Sequence, residues 1–463
     1  MTEEMTDANW RAKPPAPAPP REWKFPDLHR TTLPNGVRLI AARHSNAPLA
    51  SIRVVIRSGA GAEPQDKSGL ASITAGLLEE GAAGRSSMEI AEEVARLGAF
   101  LGAGADWDAS YAALDVLSKN LSEGLRIVRD VLLEPHFDQD ELDRARDERL
   151  TSIMQQRDDP ASIAARSFSR HLYEGIRYGT PLIGSEKTVA AITREDVTGF
   201  YRRAYVPSNV SIIITGDVEP DEVLEMVETG FGQWDGPAEA PPLPEKPRRS
   251  EATRVVVVDR PGSVQSEIRI GHVGVERATE DYFPIVVMNA LLGEVFNSRI
   301  MINLRERHGY TYGARSSFVF RKHAGPFVVS TAVRSEVTLE AVREVFSELN
   351  RIRREEIAED ELEHAKNYLM GVFPATVETA NDLANRIQEM ELYELPKDYF
   401  EHYRENIRSV TRHDAARAAE QYISPQTATI VIVGQARDLF DRLSELGHLT
   451  EVVDIDGNPI AEP

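Results

Sequence analysis

The chain has 463 residues, more than one ordinary hydrophobic core needs, so the sequence predicts two or more domains. Acidic residues outnumber basic ones, and the formal net charge of -21 argues against nucleic acid as a partner. Cysteine is absent from the sequence, which excludes disulfides, thiolate metal sites and cysteine nucleophiles.

The amino-terminal stretch is rich in proline and alanine, and globular sequence begins near Leu28. We assign residues 1–27 to an extended leader, which contains no hydrophobic signal core. We also find no apolar run long enough to predict a membrane span. As written, the chain is expected in the cytoplasm, or in the periplasm if it was trimmed, and the sequence leaves the compartment undecided.

Residues 28–235 form the first predicted domain, in which strands and helices are mixed. An Asn-Gly turn predicts a hairpin over residues 32–40, and a β-branched alternation predicts a strand over residues 50–57. Helical spacing predicts helices from about Ser68, over 86–97 and over 119–133.

A long helix and a buried strand complete this first domain. Asp138 and Glu141 have the spacing of a capping box, which predicts that a helix opens there and runs to about Gln156. The apolar run at residues 212–214 predicts a buried strand that ends at Gly216.

The pattern then repeats. A proline-rich linker, residues 236–250, precedes a second predicted domain at residues 251–445, and residues 446–463 are assigned to a tail. Both domains end with a helix, a tyrosine, a proline turn and a buried strand closed by glycine. This repetition predicts an α+β chain made of two homologous domains. The second domain has predicted strands at 253–258 and 267–272, helices at 281–292 and 298–307, paired strands around 322–325, and helices over 336–420.

Residues 67–81 read KSGLASITAGLLEEG and resemble the zinc helix of the pitrilysin / mitochondrial-processing-peptidase family. In that family a Gly-Leu-Ala lead-in precedes His-x-x-Glu-His, in which the two histidines bind zinc and the glutamate is the general base. The resemblance spans about residues 30–440, and it implies two domains with antiparallel-rich sheets covered by helices in a clam-shell. Its other landmarks include FDQDELDRARDERLTSIMQQRDDP, RYGTPLIGS, YVPSNVSIIITGD, DRPGSVQSEIRIG and LLGEVFNSRIMINLRERHGYTYGA.

The positions that match the family's zinc site lack its chemistry. Ser72 and Gly76 stand at the two histidine positions, and Ala75 stands at the position of the base. The third ligand of active members is a glutamate on the long helix, and Ser152 stands at that position. The resemblance therefore implies that this chain binds no metal and no other cofactor. Three nearby acids are interpreted as parts of a solvated helix face: Glu79, Glu80 and Glu148.

The second domain keeps a pair of residues that active members use. Arg305 and Tyr312 lie seven positions apart, and family members carry an arginine and a tyrosine at this spacing that help to stabilise the reacting carbonyl. We expect Arg305 in the last turn of a helix, Gly309 as its left-handed cap and Tyr312 in the next strand. The alternative is a surface arginine and a tyrosine packed in a sheet.

Some bacterial members of this family are heterodimers, and this chain resembles their zinc-less Arg/Tyr subunit. The resemblance implies a homologous partner that carries His-x-x-Glu-His and the zinc, and an unfolded peptide substrate that is added as a strand to a sheet edge. The chain alone would then be inactive. Two alternatives remain: a structural or peptide-binding scaffold of the same fold, and a self-sufficient peptidase with unconventional ligands.

Overall fold

The computed structural model describes residues 24–236, 245–446 and 449–460. Most of the predicted leader and the middle of the predicted linker lie outside the described residues. The described residues form two halves, and each half is built on a six-stranded sheet. The α+β class expected from the sequence is confirmed.

The first half contains a six-stranded sheet, a two-stranded ribbon and the helices that cover them. Its strands are β1 (Leu28–Thr32), β2 (Arg38–Arg43), β3 (Leu49–Ile56), β4 (Gly81–Ala82), β5 (Arg85–Ser86), β6 (Phe100–Ala105), β7 (Ser110–Leu117) and β8 (Val210–Gly216). Its helices are α1 (Leu70–Gly76), α2 (Ser87–Arg96), α3 (Leu121–Leu133), α4 (Gln139–Asp158), α5 (Pro160–Leu172), α6 (Glu186–Ala190), α7 (Arg194–Ala204) and α8 (Pro220–Phe231).

The second half repeats this arrangement. Its strands are β9 (Arg254–Asp259), β10 (Gln265–Val273), β11 (Ala314–Phe318), β12 (Pro326–Arg334), β13 (Thr429–Gly434) and β14 (Leu449–Val453). Its helices are α9 (Tyr282–Asn289), α10 (Arg299–Met301), α11 (Thr338–Arg354), α12 (Glu359–Val372), α13 (Ala380–Leu392), α14 (Tyr403–Ser409), α15 (Arg412–Tyr422) and α16 (Ala436–Ser444). Two π-helical segments follow α9 and α10, at Ala290–Glu294 and Ile302–Arg307.

The two sheets share one topology. The first has the strand order β1-β2-β8-β3-β7-β6, and the second has the order β14-β9-β13-β10-β12-β11. In the first sheet β8 pairs in parallel with β2 and antiparallel with β3, and in the second sheet β13 pairs in the same way with β9 and β10. All seven residues of β8 are buried, which fits its β-branched, apolar sequence. The predicted duplication is thus confirmed.

The two sheets differ at one edge. Strand β1 pairs antiparallel with β2, as predicted for the hairpin, and Gly36 in the turn has a φ of 97°. Strand β14 instead pairs in parallel with β9. The residues that we assigned to a tail therefore include a strand of the second sheet.

Each half contributes one helix that packs on the sheet of the other half. Helix α5 of the first half packs on β10 and β13, while α13 of the second half packs on β3 and β8. Apolar side chains from both halves form these two layers, for example Phe168 with Val431 and Ile387 with Ile213. Because each sheet is covered on one face by a helix from the other half, the pairing of the halves is part of the core.

A polar contact also joins the halves. Asp108, in the turn between β6 and β7, accepts hydrogen bonds from the Tyr178 hydroxyl at 2.9 Å and the Lys322 amide at 2.8 Å. The Tyr393 hydroxyl donates to the same carboxylate at 3.3 Å. The three donors compensate the cost of burying this carboxylate, so the contact holds the β6–β7 turn against the second half.

One local prediction was wrong. Helix α4 does begin after Asp138, but the Asp138 side chain makes no capping hydrogen bond. Glu141 is instead bonded to Arg144, one turn further along the helix, at 2.9 Å. The capping-box spacing identified the start of the helix but not its hydrogen bonds.

One helical stretch, Tyr282–Arg307, is long and apolar enough to cross a membrane by length and composition, contrary to our expectation from the sequence. This is weak evidence for a span, because the core helix of a globular protein passes the same test. Here Ile285, Leu292 and Ile300 are fully buried in the core of the second half. The stretch is also interrupted, since Val295 has an extended backbone.

Candidate functional site

Helices α1 and α4, which carry the positions that the sequence aligns with the zinc motif, pack against each other. Ser72 is half-buried on α1, and its hydroxyl donates to the Gly69 carbonyl at 3.1 Å. Ala75 is fully buried, and the space beside the Gly76 Cα is open. Neither residue has a side chain that can hold a metal or accept a proton.

A guanidinium reaches the first of these positions. Arg149, on α4, donates from Nη1 to the Ser72 hydroxyl at 2.8 Å and to the Ile183 carbonyl at 3.4 Å. Partial burial lowers the pKa of Arg149 below its ordinary value, but the group stays charged at neutral pH. A positive charge therefore lies beside Ser72, which the sequence aligns with a zinc-ligand position.

Ser152 points to solvent, one turn after Arg149. Its hydroxyl donates to the Glu148 carbonyl within α4 at 3.0 Å, which is a common way for serine to satisfy itself inside a helix. The donor set is therefore two hydroxyls and a guanidinium, and it does not fit zinc, which requires imidazole, thiolate or carboxylate ligands. Over the residues that the structure describes, no group of three or more His, Asp or Glu side chains could hold a metal ion.

A buried carboxylate binds the backbone at the start of α1. The Glu63 side chain is fully buried and accepts from the backbone N–H groups of Gly69 at 2.8 Å and Ala71 at 2.6 Å. Arg177, only 6 % exposed, forms an ion pair with the same carboxylate. Burial raises the pKa of Glu63, and Arg177 opposes that rise. The pair fixes the start of the helix that carries Ser72.

The acid next to the degenerate motif is not solvated as expected. Glu79 accepts from the backbone N–H of Ala103 at 2.6 Å, and Ala103 lies on β6, an edge strand of the first sheet. Burial raises the pKa of Glu79 to about 7. Glu80, in contrast, forms an exposed ion pair with Arg144 at 2.6 Å. Glu79 therefore occupies one of the hydrogen-bonding positions that a peptide added to β6 would use.

The Arg305 environment agrees with the sequence in part. Arg305 lies in the last turn of its helical segment, and Gly309 follows with a left-handed φ of 63° and donates to the Arg305 carbonyl. The segment is π-helical, which the sequence did not predict. The guanidinium lies 4.8 Å from the centre of the exposed Phe296 ring and pairs with Glu306 at 3.3 Å. Phe296 thus makes a cation–π contact with the Arg305 guanidinium.

Tyr312 is not in a strand, so that prediction was wrong. It lies in a bend two residues before β11 begins at Ala314, and it is 94 % exposed. Its ring therefore lies outside the sheet that the alternative interpretation required. Arg305 and Tyr312 are both on the surface and available to another molecule.

Sequence reasoning missed Arg149. One signal was available, since Arg149 precedes Ser152 by three positions and shares its face of α4. The residue was overlooked because an arginine on a charged helix is ordinarily solvated.

Restoring all four lost groups, with Ser72→His, Ala75→Glu, Gly76→His and Ser152→Glu, should give only weak zinc binding, because Arg149 places a like charge beside the metal. Adding Arg149→Leu should tighten zinc binding more than about tenfold by removing that repulsion. Zinc titration against a chromogenic chelator measures both variants, and Arg144→Leu in the restored background is the control. The unaltered chain should hold no stoichiometric zinc after dialysis.

Two outcomes of that titration would contradict the site. Equal zinc affinity with and without Arg149 would mean that the guanidinium does not act on the motif. Failure of both variants to bind zinc would mean that the helices have been matched to the family incorrectly.

Comparison with known proteins assigns this architecture to one group. Residues 39–186 match the model of the insulinase family, peptidase family M16, and residues 191–369 match the model of the peptidase M16 inactive domain. An uncharacterized zinc protease of Streptomyces coelicolor is 25% identical over 418 residues, covering 89% of this chain and 90% of that protein. A probable mitochondrial-processing peptidase subunit beta of Arabidopsis thaliana is 21% identical over 437 residues, with 90% and 80% covered.

A solved structure is similar over nearly its whole length. The crystal structure of a peptidase M16 inactive domain from Pseudomonas fluorescens has a TM-score of 0.83 and 25% sequence identity, and the match covers 88% of this chain and 98% of that one. The likeness therefore includes both halves and their relative placement.

Proposed function

Because this chain belongs to the M16 peptidase family, we propose that it is the zinc-less subunit of a two-chain metallopeptidase. In this proposal it contributes Arg305 and Tyr312 to a substrate that a homologous, zinc-bearing partner cleaves. The isolated chain has no peptidase activity of its own, because Ser72, Gly76 and Ser152 cannot ligate the metal.

The observation that carries the proposal is the exposure of Tyr312. A tyrosine that is 94 % exposed contributes little to folding, since most of its ring stays in water. Seven positions earlier in the sequence, Arg305 is about one-third exposed and stacks on Phe296, which is itself 62 % exposed. Exposed arginine and aromatic side chains of this kind suit contact with a second molecule.

The proposed chemistry follows from the donors. A guanidinium and a phenol hydroxyl both donate hydrogen bonds to an oxygen that becomes negative as a peptide carbonyl is attacked. The partner supplies the metal and the base, and this chain supplies stabilisation of the developing charge. The substrate is an unfolded peptide, because an extended segment can pair with the edge of a sheet such as β6 at the positions that Glu79 leaves free.

The proposal predicts that this chain associates with a family member carrying His-x-x-Glu-His more strongly than with itself. The two chains have complementary half-sites, so only the mixed pair completes one. Sedimentation velocity of the mixture at micromolar concentration should show a single heterodimer, since interfaces of standard size persist at that concentration. Each chain run alone is the control.

Persistent separate species in the mixture would count against the proposal. If they form a heterodimer that is not a faster peptidase than the partner alone, the chain is instead a structural or peptide-binding scaffold of the same fold.

A further inference from the structure

Arg149 is a charged group without a charged partner. Its guanidinium bonds only to a hydroxyl and a carbonyl, and no carboxylate of the described chain lies within ion-pair distance of it. Two deeper arginines are paired with carboxylates, Arg177 with Glu63 and Arg277 with Glu389. Arg53 and Arg57, in contrast, bond to neutral side chains as Arg149 does. On the same helix, Arg144 bonds three carboxylates, those of Glu80, Glu141 and Glu148.

The carboxylate that attracts Arg149 is already engaged by other donors. Glu63 attracts Arg149 electrostatically, but its oxygens accept from two backbone N–H groups and from Arg177. What distinguishes Arg149 from Arg53 and Arg57 is its position beside Ser72, in the degenerate motif. A partly desolvated guanidinium retains strong donors for a planar, bidentate anion.

We propose that the degenerate zinc site has become a carboxylate-binding site, in which Arg149, oriented by the Ser72 hydroxyl, holds a carboxylate of an extended peptide. The carboxylate can be the peptide's carboxyl terminus or an Asp or Glu side chain. The Ser72 hydroxyl fixes one nitrogen of the guanidinium, and the remaining N–H groups face the ligand. Half-burial of both residues strengthens the interaction relative to a fully solvated arginine.

The position of the site fits a peptide ligand. Helix α1, which carries Ser72, packs on β6, and β6 is an edge strand of the first sheet. A peptide lying along that edge therefore passes the helix that holds the site. The open space beside Gly76, one turn along α1 from Ser72, leaves room for the chain. This inference needs no partner subunit, so it goes beyond the proposed function and can be tested separately from it.

The test uses the full chain alone and four fluorescein-labelled octapeptides of alternating valine and threonine. In the first pair, one peptide ends in a free carboxylate and the other in a carboxamide. In the second pair both peptides end in a carboxamide, and one has a central Glu where the other has Gln. Fluorescence anisotropy should show about tenfold tighter binding of at least one carboxylate peptide than of its neutral match, as expected for a charge-assisted hydrogen bond. The pair that shows the preference identifies the carboxylate source, and a preference in both pairs means that either source binds.

The variants make the assignment specific. Arg149→Gln should reduce the preference to less than about twofold, and Arg149→Lys should leave an intermediate preference, because lysine keeps the charge but loses the planar fork. Arg144→Gln, on the same helix, should keep the full preference. Melting temperatures within a few degrees of the unaltered chain are required of each variant, and Ser72→Ala replaces Arg149→Gln if the latter unfolds. Equal binding of carboxylate and neutral peptides by the unaltered chain, or a full preference in Arg149→Gln, would overturn the proposal.

Discussion

Replacing Arg305 with alanine should lower the turnover of the assembled pair by about 10²–10³-fold, the usual effect of removing one oxyanion donor. Assembly should be unchanged, because the Arg305 side chain bonds only within its own segment and stacks on Phe296. Steady-state cleavage of a fluorogenic peptide by the mixed chains measures turnover, and sedimentation measures assembly.

The control for this prediction lies two residues away. Arg307 is exposed on the same helical segment, so Arg307→Ala changes the local charge equally without removing the proposed donor. Tyr312→Phe should also depress turnover, since it removes only the hydroxyl. If turnover is unchanged in both Arg305→Ala and Tyr312→Phe, these residues have no role in the chemistry and the scaffold alternative gains support. A lower melting temperature in Arg305→Ala would instead indicate a structural role.

Replacing Glu63 with alanine should lower the apparent free energy of unfolding by about 3–5 kcal/mol, the cost of leaving one partner of a buried ion pair unpaired. The change leaves the Arg177 guanidinium, which is 6 % exposed, without its ion-pair partner. It also leaves two backbone N–H groups at the start of α1 without an acceptor. Urea unfolding followed by circular dichroism is the measurement. Glu219→Ala, which breaks an exposed pair with Arg43, should cost about 1 kcal/mol or less.

A double variant separates the charge effect from the hydrogen bonds. Glu63→Gln with Arg177→Met removes both charges and leaves an amide oxygen to accept from the helix, so it should lose less stability than Glu63→Ala alone. Equal losses in Glu63→Ala and Glu219→Ala would show that the buried pair does not hold α1.

Local patterns in the sequence predicted most of the fold. The apolar, β-branched runs that became β3, β8 and β13 are unambiguous, because central strands are buried on both faces. The exchange of α5 and α13 was not predicted, since both helices have ordinary amphipathic patterns that do not say which sheet they cover. Strand β14 was missed because its sequence, LTEVV, is short and includes an acid.

For the candidate site, too, some features follow from the sequence and others do not. That Ser72, Gly76 and Ser152 cannot ligate zinc follows directly from residue identity, because a hydroxyl or a hydrogen cannot replace imidazole or carboxylate. The position of Arg149 depends on how two helices pack, and the exposure of Tyr312 depends on where β11 begins. Neither is encoded in a local pattern, so both required the three-dimensional structure.

The central claim, that this chain completes a peptidase only in combination, is tested most directly by one cleavage assay. The chain, a His-x-x-Glu-His family member from the same genome, and their equimolar mixture are each given the same unfolded, quenched-fluorescent peptide. We expect no cleavage by this chain alone, little by the partner alone, and fast cleavage by the mixture that a metal chelator abolishes. Chelator-sensitive cleavage by this chain alone, or a mixture no faster than the partner alone, would contradict it.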